Sequence, residues 1–305
     1  MERYIPLDFV RQHALKSGFQ ACGAAKAGIL KSERLNLWLS NGYHAAMEYM
    51  ERNKEKRIDI KQLVPYAETI FSFLISYNGN QNEAAQSGVA AYALGEDYHK
   101  VLKIKLYNLL QIIQSAYPDF EARVFVDSAP LMERQWAVKA GLGWIGKNGC
   151  LINKAFGSRT FLAEMVCNYT SDYCEEQKNR CGTCKRCIES CPNHAIKPNG
   201  IIDSNRCISY QTIENKAAIP DGIRLQGYVY GCDICLNACI WNKKAAKYQA
   251  EEFAPSPEML NLIDKIKNGS LEKQDFNKAR KHSPIERVKF DKLLSNINAA
   301  QSKVD

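Results

Sequence analysis

The chain has no long apolar run. Its longest strong one, IFSFLISY at residues 70–77, falls well short of the roughly 20 residues a membrane-spanning helix needs. The opening stretch, MERYIPLDFVRQHALKSG, carries Glu2, Arg3 and Asp8 and has no basic segment leading into an apolar one. The expectation is therefore a cytoplasmic protein with no secretory leader and no membrane contact. There is no G-x-x-x-x-G-K-[ST] loop, which excludes a Walker-type nucleotide site. Gly141, Gly143 and Gly146 follow a helical pattern rather than a strand, which argues against a dinucleotide fingerprint. No short-period repeat or low-complexity tract is present. The composition is that of an ordinary globular chain, 46% hydrophobic and 24% charged.

What the chain does have is cysteine, twelve in all. Structural disulfides are rare in the cytosol, so clustered thiols there point to metal or redox work. The run CGTCKRCIESCP, residues 181–192, sets Cys181, Cys184, Cys187 and Cys191 ahead of Pro192. Zinc ribbons separate two Cys-x-x-Cys pairs by a long insert. Here the spacing is C-x2-C-x2-C-x3-C-P, the bacterial ferredoxin run, whose fourth cysteine ligates the other of two clusters. Two clusters need eight thiolates. The missing four follow as Cys207 in NRCISY and as Cys232, Cys235 and Cys239 in GCDICLNAC. The crossed assignment gives Cys181, Cys184, Cys187 and Cys239 to one [4Fe–4S] cluster, and Cys191, Cys207, Cys232 and Cys235 to the other. A zinc-ribbon pair is the alternative. Cys22 and Cys167 sit among small or apolar residues as core filling. Cys174 has no assigned role.

The first 170 residues read as α/β. Apolar periodicity predicts helices at the N-terminus, with Asp8 as N-cap, on either side of Asn41-Gly42, and over DYHKVLKIKLYNLLQIIQSAY. PLMERQWAVKAGLG reads as a helix entered at Pro130 and closed by Gly141 and Gly143. FQACGAAKAG, TIFSFLISY, EARVFVDSAP and TFLAEMVCNY read as strands. The expected organisation is an α/β domain over 1–171, a ferredoxin-like two-cluster module over 172–245 and a basic helical region over 246–305, entered through a hinge at PSPEM. The net charge of +8 is compatible with a polyanionic partner without requiring one. Residues 261–305 hold ten Lys or Arg against six Asp or Glu, about half the surplus. On charge alone a solvated helical surface accounts for that excess better than a nucleic-acid face does.

Clusters move single electrons, so the N-terminal domain should hold what receives them. Asp127 ends a strand in VFVDSAPLMER. In an apolar pocket its carboxyl would be pushed up and stay protonated, ready to act as an acid; a turn or helix-cap role is the alternative. AGLGWIGKNGC, residues 140–150, packs four glycines into eleven positions and brings backbone close to a bulky ligand. Lys147 there either meets an anionic group or is solvated.

The stretches VDSAPLMERQWAVKAGLGWIGKNGCLI, CGTCKRCIESCP, CISYQTIE and GCDICLNACIWN, in this order, resemble the epoxyqueuosine reductases. The likeness covers about residues 1–245 and returns at SPIERVKFDKLLSNI. It implies a cobalamin-binding α/β domain fused to a ferredoxin-like two-[4Fe–4S] module with a short helical tail. It implies base-off cobalamin, two [4Fe–4S] clusters and a proton-donating aspartate, which by motif is Asp127. It implies cobalamin contacts at Arg57, Asp127, Gly146, Lys147, Asn148, Leu151, Leu162 and Ser209. The loop departs from the family in reading Gly-Lys-Asn-Gly-Cys, so Cys150 is not assigned a catalytic part. Many family members carry a longer C-terminal region of helical repeats.

The resemblance implies a substrate, epoxyqueuosine in the anticodon loop of queuosine-type tRNAs, and an external low-potential electron donor, with the chain acting as a monomer. The base must be splayed from its stack. Tyr98, His99, Trp144 and Tyr210 are candidate walls, and the ordinary burial of aromatics favours packing as the role of each. Two rivals stand beside this. A reductive dehalogenase shares the cofactor layout, but its usual twin-arginine leader is absent from the sequence. A plain iron–sulfur electron carrier would hold clusters and no corrinoid.

Overall fold

A computed structural model describes residues 3–79, 81–248 and 250–301. The outermost residues of the first and third expected segments lie outside it. Six strands form: β1 (Ala21–Lys26), β2 (Thr69–Ser76), β3 (Ala122–Phe125), β4 (Trp144–Ile145), β5 (Leu151–Ile152) and β6 (Thr160–Cys167). The main sheet runs β1-β2-β6-β3 and is antiparallel throughout. β2 is buried along its whole length and β6 nearly so, which is why both read as continuous apolar runs rather than alternating ones. β4 and β5 form a separate two-stranded ribbon.

Helix Leu7–Lys16 and the long helix Tyr98–Ala116 pack on one face of the sheet, burying Val10, Leu102, Leu106 and Ile113 against Phe71, Phe73 and Met165. On the other side Trp136, in helix Glu133–Lys139, packs with Ile70 and Val166. Gly23 allows this. A Cβ there would run into the carbonyl of Ala140 at the helix's end. Gly141, at φ +72°, then turns the chain, with its N–H on Val138 O (3.0 Å) and the Leu142 N–H on Ala137 O (2.9 Å).

Three boundaries differ from expectation. The first helix starts at Leu7, with Pro6 at the cap position and Asp8 inside the first turn. The helix expected from Pro130 starts at Glu133, because residues 127–131 form a bent loop tied back by Glu133 itself. At PSPEM the chain does not hinge. Ser256 Oγ accepts from Met259 N–H at 3.1 Å and caps helix Pro257–Lys267. The C-terminal helices then join the main core through Met259, Leu262, Phe276, Ile285 and Leu293, each buried completely. Asn296 Nδ2 bonds the carbonyls of Thr212 and Val229, both at 2.9 Å. No helix among the described residues is long and apolar enough to cross a membrane.

Candidate active site and cluster cavities

The cysteines sort themselves by cavity. Cys181, Cys184, Cys187 and Cys239 line one cavity, together with Asn148, Arg180, Arg186 and Trp241. Cys191, Cys207, Cys232 and Cys235 line the second, with Asn148, Pro192 and Ile234. These are the two crossed sets. All eight thiols are free and half-buried. Tight turns hold them. The Cys184 N–H bonds Cys181 O at 3.0 Å, and the Ala195 N–H reaches Cys191 Sγ at 3.4 Å, an amide aimed at a ligand sulfur. Four soft donors around each hollow suit an iron–sulfur cube. Cys22 and Cys167 are core residues. Cys174 is tied down by its N–H to Ala24 O (2.9 Å), and its sulfur accepts from Arg11 Nη2 at 3.4 Å.

Asp127 follows β3 in the left-handed region, at φ +48°, a conformation Asp tolerates better than most side chains. It caps no helix; the cap position of Glu133–Lys139 is Met132. Tyr98 Oη donates to Asp127 Oδ2 at 2.6 Å, and His99 Nε2 lies 3.6 Å from the same oxygen. His99 Nδ1 is 2.7 Å from Asp97 Oδ1, and Asp97 also caps the long helix by accepting from the His99 N–H. Protein surrounds Asp127 on most sides, yet its side chain is 60% open to solvent. Both hold because the carboxyl lies on the floor of a cleft.

The protonation pattern differs from the expected neutral acid. Burial pushes the Asp127 carboxyl up, but hydrogen bonds from His99 and Tyr98 and the charges of His99 and Arg134 outweigh it. Asp127 stands below the usual carboxylate range. The pocket is polar and cationic, so the premise for a raised value fails. Burial pulls the His99 imidazole down, but its bonds to Asp127 and Asp97 carry it up to about 9. The proton near neutral pH therefore sits on His99. A second proton sits deeper. Glu133 Oε1 accepts the Asp127 N–H, and burial together with the Asp127 charge lifts its carboxyl to about 8. Behind it Glu164 of β6 is wholly buried. Burial first, and then the charges of Glu133 and Asp127, hold it well above the carboxylate range.

The other expected cobalamin contacts divide. Arg57 is buried, with Nη2 3.4 Å from Tyr49 O and Nε without a partner among the described residues; it feels the charge of Asp127. Leu162 is half-buried beside Leu151 in a small apolar cluster, and Ser209 is half-buried two residues after Cys207. Lys147 turns away to the first cluster loop, its Nζ donating to the carbonyls of Gly182 (2.7 Å) and Cys184 (2.9 Å). Gly146 and Asn148 belong to the same β4–β5 loop against the cluster cavities. An open-topped cleft with a charged floor and an unpartnered guanidinium N–H fits a large ligand bearing amide and phosphate groups, as a corrin does.

Of the candidate walls, Trp144 is buried edge-on against Trp241, 4.9 Å between centroids, and Tyr210 Oη accepts from the Ala46 N–H at 3.0 Å. Both are packing residues. Tyr98 stacks on Phe161 at 4.4 Å while bonding Asp127. Sequence reasoning missed Glu133, Arg134, Glu164 and Arg287. Glu164 had a visible signal, a lone acid in the apolar strand TFLAEMVC. Arg287 bonds Glu214 at 2.8 Å and adds its charge near Asp127. Arg134, next to Glu133, bonds Gly149 O at 3.0 Å and so ties the Asp127 side of the molecule to the β4–β5 loop, whose Asn148 lines both cavities.

Two four-thiol cavities beside a cleft with a titrating floor define an iron–sulfur oxidoreductase. A family model for a 4Fe–4S double cluster binding domain matches residues 180–242, and one for epoxyqueuosine reductase QueG, DUF1730, matches 57–128. An epoxyqueuosine reductase of Cyclobacterium marinum is 41% identical, covering 96% of each chain. A solved epoxyqueuosine reductase with a tRNA-Tyr epoxyqueuosine-modified stem loop superposes with a TM-score of 0.86 at 28% identity, over 97% of this chain and 80% of that one. One from Bacillus subtilis, its catalytic aspartate loop swung out of the active site, gives 0.85 at 27% identity over the same shares. The chain belongs to the epoxyqueuosine reductase family, and it carries a double [4Fe–4S] module.

Proposed function

We propose that this protein reduces epoxyqueuosine in a tRNA anticodon loop to queuosine, with cobalamin in the Asp127 cleft and two [4Fe–4S] clusters relaying electrons. The observation that carries this is the pairing of two four-cysteine cavities with the Asp127–His99 site, joined through Arg134 and Gly149 to the loop that lines both cavities. Opening the epoxide to an alkene and water consumes two electrons and two protons. Cobalamin, when bound, supplies the two-electron chemistry at strained carbon.

The chain's own residues do the rest. Arg57, Leu162 and Ser209 hold the corrin, and the half-open Asp127 faces the substrate from the floor. Protonated His99, 3.6 Å away, hands its proton to the ionised Asp127, which passes it to the departing oxygen, and His99 reloads from solvent to supply the second proton by the same route. Tyr98 keeps the carboxyl oriented. The bent loop carrying Asp127 is latched by Glu133 and can release, as the loop of the Bacillus subtilis relative does.

Electrons enter at the first cavity, whose rim bears exposed Arg180 and Arg186, from an external low-potential donor. They leave toward the cleft from the second. Residues 1–171, 172–245 and 246–305 act as cleft domain, relay module and buttress, in a cytoplasmic monomer.

The test is anaerobic incubation of the loaded protein with epoxyqueuosine-containing tRNA and a low-potential reductant, followed by nucleoside and metal analysis. Queuosine should form at about one cobalt and eight irons. Asp127→Ala should keep both metals and form none. Eight irons with no cobalt would favour a plain electron carrier, and full turnover by Asp127→Ala would remove Asp127 from the chemistry.

A further inference from the structure

One side chain lines both cluster cavities from between them. Asn148 stands at the tip of the β4–β5 loop, 6% exposed, and borders the Cys181 set on one side and the Cys191 set on the other. Its orientation is fixed. Asn148 Oδ1 accepts the Cys150 N–H at 3.3 Å, an Asx turn that leaves the NH2 group pointing away from the loop. The loop itself is pinned at every corner. The Gly146 N–H bonds Cys150 O (2.8 Å) and the Gly149 N–H bonds Gly146 O (2.9 Å). Lys147 straps the loop to Gly182 and Cys184, and Arg134 holds Gly149 O. Yet Asn148 Nδ2 is buried with no hydrogen-bond partner among the described residues.

A buried amide N–H2 left unpaired costs stability, so a rigid loop that holds one in place needs a reason. The group has two protons and borders two hollows, each lined by four thiols. The acceptors such hollows offer once filled are electron-rich sulfides, and hydrogen bonds to those sulfurs raise a cluster's potential by stabilising its reduced, more negative form.

We infer that Asn148 is a positioning residue for electron transfer: its side-chain amide donates one hydrogen bond to each cluster, sets both potentials and forms the polar bridge between them. This rests on the two-cluster content of the protein and assigns Asn148 to the clusters rather than to the corrin. Removing the donors should move both potentials to more negative values and slow passage from the first cluster to the second.

The experiment is an EPR-monitored redox titration of the fully loaded protein and of Asn148→Ser and Asn148→Leu. The serine keeps a turn acceptor for the Cys150 N–H but is too short to reach either hollow; the leucine keeps bulk and loses every donor. Both variants should retain eight irons, and both midpoint potentials should fall in each. Unchanged potentials at eight irons would overturn the inference and leave the two-cluster content intact. A shift of one cluster alone would overturn the bridge. Should substitution cost iron, unsubstituted protein labelled with 15N in its asparagine side chains decides. Pulsed EPR should find a 15N coupling at both reduced clusters, and its absence from either rejects the assignment.

Discussion

Tyr98 Oη donates to Asp127 Oδ2 at 2.6 Å, joining the first turn of the long helix to the loop after β3. His99, the next residue on that helix, brings its imidazole to the same carboxylate. The pair gives Asp127 one hydrogen bond, from Tyr98, and one ion-pair partner, His99, which is why it is ionised at rest. An aspartate in that state donates a proton only if one is handed to it. On the proposed function, His99 stores the proton and Asp127 delivers it.

A pH dependence follows from His99. Its folded value, about 9, lies above the ordinary 6.5. The stability it lends is complete below the ordinary value and disappears as pH rises through about 9. Its ring is partly solvent-exposed, so this contribution is small. The effect on turnover is larger. Single-turnover queuosine formation should hold steady from pH 7 and fall tenfold per pH unit above about 9. His99→Gln should be slow by about 10²–10⁴-fold, the range for a lost acid–base group, and lack that limb. A His99→Gln profile with the same alkaline limb would assign it to another group.

Glu164 makes a prediction of the opposite sign. An acid with a raised folded value binds its proton more tightly in the native protein, so its burial costs stability as pH climbs past the unfolded carboxyl range. Glu164→Gln keeps the shape and cannot ionise. It should match the parent near pH 5 and unfold at a higher midpoint than the parent at pH 8, the gap widening as pH rises. Equal midpoints at both pH values would mean that Glu164 has found a compensating partner.

The contrast between these acids marks what the sequence could disclose. The two thiol sets came from spacing within short loops, and each cavity is lined by one group of four of these cysteines. The strands were legible from their buried, β-branched runs. The state of Asp127 was not, because what decides it lies 28 and 29 residues upstream on a different element. Pro130 looked like a helix start, since its fixed φ suits one, but a tertiary bond from the Asp127 N–H to Glu133 delays the helix to Glu133. Lys147 read as either a partner for an anionic group or a solvated lysine, and its Nζ straps a loop 35 residues away.

The crossed ligation predicts how single cysteine losses behave. Cys191 is adjacent in sequence to the Cys181 run but lines the other cavity. Cys191→Ala should damage the cluster of Cys207, Cys232 and Cys235, and Cys239→Ala the cluster of Cys181, Cys184 and Cys187. Iron analysis should give about four per chain in each case, and EPR should show that different signals survive. Loss of the same signal from both variants would refute the crossing.

The C-terminal helices pack into the main core and should unfold together with it. Ser283 Oγ bonds Ala93 O at 2.8 Å, Tyr230 Oη bonds Pro284 O at 2.6 Å, and Arg287 reaches Glu214 beside the second cluster's helix. Phe276, wholly buried and 5.7 Å from the Phe290 ring, anchors that region in the main core. Phe276→Ala removes a fully buried ring and should cost about 3–5 kcal/mol. Because Arg287 stands within reach of Asp127, loosening the tail disturbs the cleft as well. Denaturant unfolding of the loaded variant, followed by both tryptophan fluorescence and cluster absorbance, should show one transition at a lower midpoint with the slope unchanged. Two separated transitions, with the cluster signal holding at the parent midpoint, would mean that the tail melts by itself and that the cleft does not depend on it.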